Sequence, residues 1–452
     1  MGLSAAFGWA VFHNGGSEAA EWRVSVLAVG ALSLAYQLRV PRSKQAPPLK
    51  PLLRLPLFAL VAYSLLQVAP LPPALVRLLS PERAEMARSY VSASGAPEGW
   101  IPLGVAASLD QVLRIAACVL VVLLVREVCW QLENRAWLAA VPLVAVATAQ
   151  ALIGLAQYYW GGPPAHGSYV NRNHFAGLLE MTAPFAILLA AVVIRSRLRQ
   201  SAGIRAALLA SAAVAAALLI LLGLLHSLSR MGFFAGLAAV LVTMYGLIRA
   251  AHTRNAMAAR RRRRAGAMLG GAALVSAALV FFVALPPDEL IARFGDEGAS
   301  LIEDRPRLWQ QTLPLVRDYA VFGCGLGGFE SAFMRYKASG PMSTDDFAHN
   351  DYLQYLAELG LIGFCAVTIA GLAYFAEAIR AAVRHTTFEG RCLAVACVAA
   401  FSAIGLHSTV DFNLYIPANS MLLAWIAGIA SGVILSSHPA SSRKAVDMLT
   451  TA

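Results

Sequence analysis

The chain has 452 residues, of which 58% are hydrophobic and 13% charged, with a mean hydropathy of +0.63. Soluble globular proteins carry about 25% charged residues, so a soluble enzyme, a disordered chain and a disulfide-stapled secreted domain are excluded, and an integral membrane protein remains. The net charge of +11 therefore has to be read by where it sits along the chain.

Apolar runs of about 20 residues mark transmembrane helices. In chain order they fall near 22–38, 52–69, 106–126, 137–158, 174–194, 206–225, 231–249, 267–285, 359–379, 392–408 and 417–436, eleven in all. A weaker run at 3–12 is either half of a twelfth helix or a disordered start. It has no basic lead and no cleavage site, so it does not read as a signal peptide. The expected fold is an all-α polytopic membrane protein. N-terminal helices occupy 1–285, a large and partly helical loop 286–358, C-terminal helices 359–436 and a tail 437–452.

The short loops fall into two alternating sets. Loops 39–54, 126–135, 195–205, 249–264, 380–391 and the tail hold 23 of the 36 Lys and Arg residues, and the alternate loops hold 11. The basic set is expected in the cytoplasm. Arg260 to Arg264, five arginines in a row, reads as a topology determinant rather than as a nucleic-acid or anionic-lipid site. The six cysteines complete no metal set and imply no structural disulfide.

Most of the unusual chemistry lies in the other set of loops. Loop 286–358 is 73 residues long and carries 12 Asp and Glu against 6 Lys and Arg, so it is not a nucleic-acid surface. Within it 303–318 predicts a short helix, with Pro306 in its first turn and Pro314 kinking or ending it. The glycine run at Gly323, Gly325, Gly327 and Gly328 lacks the strand and helix that frame a nucleotide fingerprint, and reads as a tight turn positioning Phe329.

Cationic and polar groups converge on the same side. His226 and Arg230 sit at a turn that contains no carboxylate, and an arginine at a membrane boundary points to function unless it snorkels to the headgroups. Arg305 and Arg307 lie early in the loop beside Glu303 and Asp304, where plain surface pairing is the competing reading. His349, Asn350 and Asp351 precede the span expected from about Leu359, and serve either as a polar helix start with a cap or as functional groups. Asn171, Arg172, Asn173 and His174 at the mouth of another span leave the same two readings open, as does HSTVDFNLYIPANS with His407, Asp411, Asn413 and Asn419.

The motifs NRNHFAG, SLSRMG, RPRLW, GCGLGGFESAF and HNDYLQYLAELG, in this order, resemble the bacterial O-antigen ligase and Wzy polysaccharide polymerase family. The resemblance spans about residues 50 to 435 and implies a GT-C membrane glycosyltransferase. Its donor would be a glycan on undecaprenyl diphosphate at the periplasmic face of the inner membrane, and its acceptor a glycan or lipid hydroxyl. Arg230 and Arg305 resemble the family arginines and would stabilise the diphosphate leaving group, for which the planar donor fork of Arg is suited. His349 resembles the family histidine and would orient or deprotonate the acceptor. Arg172, Asn173, His174, Arg307, Asn350, Asp351 and Tyr336 are the expected substrate contacts, with membrane lipids as further partners. No metal, cofactor or nucleic acid is implied, and a single displacement would invert the anomeric centre. The exopolysaccharide-type polymerases look nearest. O-antigen ligases and protein O-oligosaccharyltransferases are the enzymatic alternatives, and a lipid-linked glycan transporter is the non-enzymatic one.

Overall fold

The computed structural model describes residues 1–85, 104–197, 204–251, 299–337 and 346–433. The expected span 267–285, the Arg260–Arg264 run and the tail 437–452 lie outside the described residues. Those described form helices and no strand. In chain order these are α1 (Gly2–Phe12), α2 (Ala19–Arg39), α3 (Pro51–Val68), α4 (Pro73–Leu79), α5 (Val105–Leu132), α6 (Val141–Tyr159), α7 (Arg172–Arg197), α8 (Ile204–His226), α9 (Arg230–Ala251), α10 (Ala299–Asp318), α11 (Phe329–Phe333), α12 (Asp351–Arg384), α13 (Phe388–His407) and α14 (Pro417–Val433). By length and composition, seven helices among the described residues are long and apolar enough to cross a membrane. This is the all-α polytopic fold expected from composition.

The helices stack into a bundle with two chemically distinct ends. At the basic end, Lys50 pairs with Glu377 at 2.7 Å, the Trp137 indole donates to the Glu389 carbonyl at 3.0 Å, and Arg391 donates to the Ala250 carbonyl at 2.8 Å. At the opposite end Ala165 N–H bonds to the His226 carbonyl and Ala418 N–H to that of Gly15. Among the described residues, the segments that sequence sorts into two sets by charge are thus sorted in space as well. The centre of the bundle is α7, whose interior is almost wholly buried, from Phe175 and Leu178 through Phe185 and Leu188.

Three expectations change. The run at 3–12 is a separate 11-residue helix. At 1.5 Å per residue it is about half a bilayer long, and it packs on α2 and α14. The helix expected over 303–318 begins at Ala299, so Pro306 and Pro314 lie inside it. Both prolines are on its exposed side, where water can take the carbonyls that a missing N–H leaves free. The span expected from about Leu359 begins at Asp351, capped by the Asn350 side chain accepting from Leu353 N–H at 3.1 Å.

That helix is broken at Gly360, at φ +63°. The glycine loop fills the break. Cys324 and Gly325 donate their N–H groups to the carbonyls of Ala357 and Glu358, while Leu361 and Ile362 donate theirs to Ala320 and Val321. The Leu359 and Phe322 carbonyls accept from the Tyr63 hydroxyl at 2.6 and 3.1 Å. Every group freed by the break named here is satisfied, as a buried backbone requires. Gly323, Gly325 and Gly327 all have positive φ, so the glycine run is a tight turn, and it seats Phe329 fully buried at the start of α11.

Candidate active site

Asp411 lies in the turn between α13 and α14, and its side chain is 1% exposed. Four elements bring polar groups to it. From α7, Asn173 donates its amide to Asp411 Oδ2 at 2.8 Å, and His174 Nε2 lies 3.6 Å from Oδ1. From α10, Arg305 Nη2 is 3.9 Å from Oδ2. From the segment before α12, His349 Nδ1 is 3.7 Å from Oδ1. The turn itself contributes Phe412 N–H, 2.9 Å from Oδ1.

Phe412 forms the wall. His174 and His349 pack edge-on against its ring at 4.6 and 4.8 Å, and Phe347 stacks on it at 4.1 Å. Burial by itself would raise the Asp411 pKa. The neighbouring His174 and His349 rings and the charges of His174 and His407 outweigh it and hold the carboxyl well below the usual range, the expected sign when opposite charges surround a buried acid. Asp411 is therefore a fixed buried anion. Above it the Arg305 and His349 side chains are 32% and 38% exposed, so both can meet a ligand while tethered from below.

His349 adopts φ +49°, a conformation uncommon outside glycine, though less so for histidine, asparagine and aspartate, and one that clusters at functional sites. Its Nδ1 faces Asp411, so Nε2 is the nitrogen directed away from the carboxylate. Below the site lies a second buried pair, in which His407 Nδ1 sits 2.9 Å from Glu180 Oε2.

The other expected site residues are distributed as follows. Arg230 is the first residue of α9, half-buried at the same end of the bundle. The first turn of α9 is held close to α7, since a Cβ on Gly232 would lie 2.6 Å from that of Ala176. Arg172 opens α7, and Arg307 is on the exposed side of α10. Asn350 caps α12. Asp351 is buried, receiving the Ser408 hydroxyl at 2.7 Å. The Tyr336 hydroxyl donates to Asp318 at 2.7 Å, joining the chain after α11 to the end of α10. The structure thus gathers His349, Arg305, His174 and Asn173 around one carboxylate, while the Asp351 and Tyr336 side chains engage other protein groups.

Asp411, Glu180, His407 and Phe412 were not among the residues that sequence reasoning placed in the site. Signals existed for three of them. Glu180 is an ionisable residue within an apolar run, which points to function by default. His407, the last residue of α13, and Asp411 stand four apart in one polar stretch.

An all-α polytopic membrane protein with a buried carboxylate ringed by histidine and arginine at one end of the bundle is the class that fold and geometry define. Residues 215–368 match the O-antigen ligase family model Wzy_C, which bears out the O-antigen ligase and Wzy resemblance drawn from the motifs. The match covers SLSRMG, RPRLW, GCGLGGFESAF and HNDYLQYLAELG, while NRNHFAG lies before it. No curated protein matches the chain.

Proposed function

We propose that the protein is an inverting glycosyltransferase that moves a glycan from undecaprenyl diphosphate to an acceptor hydroxyl at the periplasmic face. The observation that carries this reading is the convergence of His349, His174 and Arg305 on Asp411 in a chain whose residues 215–368 match an O-antigen ligase model. The acceptor oxygen bonds to the anomeric carbon as the bond from that carbon to the diphosphate oxygen breaks. The hydroxyl proton passes to His349 Nε2, while Nδ1 on the other side of the ring faces Asp411. Arg305, with Arg230 at the same end, stabilises the charge growing on the departing diphosphate. Arg172 and Arg307 line the approach, while Asn173 and His174 contact Asp411 itself. No metal ion enters the scheme. Ion-pair contacts of 3.6 to 3.9 Å suit a site whose hydrogen bonds tighten on substrate. The acceptor we favour is a second lipid-linked glycan, as in a polymerase of the exopolysaccharide type, rather than a lipid A core.

Consumption of lipid-linked oligosaccharide by the purified protein tests the reading, with His349→Gln alongside. The glutamine can orient a hydroxyl but takes up no proton, so transfer should fall by about 10²–10⁴ while donor binding survives. Full transfer by this variant would refute the role given to His349. Substrate translocation without glycosyl transfer would refute the enzymatic reading altogether.

A further inference from the structure

We infer that Trp309 and Gln354 are positioning residues that hold His349 in its working conformation, an inference that rests on the role proposed above for His349. The peptide unit ahead of His349 is gripped from both sides. Ala348 is fully buried. Its N–H donates to Gln354 Oε1 at 2.7 Å, and its carbonyl accepts from Trp309 Nε1 at 2.9 Å. Ala348 precedes α12 and belongs to no helix, so side chains do here what a helix ladder does elsewhere.

The orientation of Gln354 is itself fixed. Its Nε2 donates to Glu358 Oε1 at 2.9 Å. Glu358 also accepts from Gly327 N–H, Phe329 N–H and the Tyr415 hydroxyl. A group surrounded by donors acts as the acceptor, so the amide nitrogen of Gln354 must face it. Its oxygen is then left for Ala348. The chain of bonds runs from the glycine loop through Glu358 and Gln354 to the residue before His349.

The consequence is local and geometric. With the preceding peptide pinned, His349 is held at φ +49°. In that conformation its ring lies edge-on to Phe412 at 4.8 Å with Nδ1 toward Asp411 at 3.7 Å. Relaxation to negative φ, which non-glycine residues prefer, would swing the ring off Asp411. Trp309 stands one helical turn after Arg305 on α10. The same helix therefore presents the guanidinium to Asp411 and pins the histidine, fixing the two groups relative to one another.

The test uses the full-length purified protein with lipid-linked oligosaccharide donor and acceptor. Trp309→Phe removes the donor to the Ala348 carbonyl, and Gln354→Met removes the acceptor for its N–H at similar length. Each should lower kcat by about 10- to 100-fold, since displacing a reacting group by about 1 Å costs that much, and should leave the donor KM within about twofold. The double variant should be no worse than the poorer single, because both bonds hold one peptide. Trp425→Phe is the control. It loses an equivalent buried bond, Nε1 to the Ala139 carbonyl at 2.9 Å, at the far end of the bundle, and should leave kcat unchanged.

Wild-type kcat in both Trp309→Phe and Gln354→Met, with His349→Gln inactive, would overturn the inference and leave the role of His349 standing. A fall in kcat matched by Trp425→Phe, or a rise in KM alone, would also overturn it. Full activity in His349→Gln would overturn the role of His349 and this inference with it. If one of the two variants does not accumulate, the kcat and KM of the other decide by the same criteria.

Discussion

Asp411 is a carboxylate that the protein keeps charged. Its folded pKa lies well below the usual carboxylate value, so the stability it contributes is fully present above its unfolded pKa of about 4. That contribution is lost only as pH falls through the lower folded value. Asp411→Asn should therefore cost about 1–3 kcal/mol in thermal unfolding experiments, undiminished as pH falls to 5 and shrinking only below about pH 4. A penalty that vanishes by pH 6 would contradict the assignment. Arg305 supplies a planar fork as well as a charge. Arg305→Ala should lower transfer by about two to three decades, or 3–4 kcal/mol, and Arg305→Lys should recover little of it because the fork is lost. Near-normal product from Arg305→Ala at equal expression would remove Arg305 from the site. Arg305 and His349 were legible in the sequence because their motifs single them out. Asp411 was not placed there, because nothing in a polar turn says which of its side chains faces inward.

At the scale of elements, the decisive feature is the splice of the glycine loop into broken helix α12. Gly323 has φ +74°, and a Cβ there would overlap the Glu358 carbonyl oxygen. Gly323→Ala should therefore prevent the loop from seating. It should lower the yield of folded protein and, through Glu358 and Gln354, reduce transfer in what remains. The φ term alone is about 1–2 kcal/mol. Gly371, in the same helix, meets nothing within 4 Å, and Gly371→Ala should be neutral or stabilising by up to about 1 kcal/mol. Equal tolerance of both alanines in a thermal-stability assay would show that the splice is not constraining. The turn was legible from its glycines. That it closes onto a helix break some thirty residues later was not, because a lone glycine such as Gly360 is also common in unbroken membrane helices.

For the whole molecule, the bundle has a basic end and an end that carries the candidate site, and on the charge rule we propose that the basic end faces the cytoplasm. Lys44 lies at the basic end, where its carbonyl accepts from Gln131 at 2.7 Å. Trp160 is 87% exposed in the loop between α6 and α7 at the other. In a background free of the six native cysteines, Trp160→Cys should react with a membrane-impermeant thiol reagent in cells whose inner membrane is intact. Lys44→Cys should react only after permeabilisation. The reverse pattern would invert the orientation and move the proposed donor to the wrong leaflet.

Composition, span length and loop charge determined by themselves that this is an all-α polytopic membrane protein, because a bilayer imposes a length and a hydropathy on each element regardless of its neighbours. They also placed the polar motifs in one set of loops. Tertiary structure alone decided which of those residues meet. Asn173, Arg305, His349 and Asp411 are separated by up to 238 positions, and only the packing of α7, α10, α12 and the turn after α13 brings them to one point. The left-handed backbone of His349 was equally beyond sequence reading. It depends on Trp309 and Gln354 holding Ala348 from two different helices, and a contact between helices leaves no local periodicity to read.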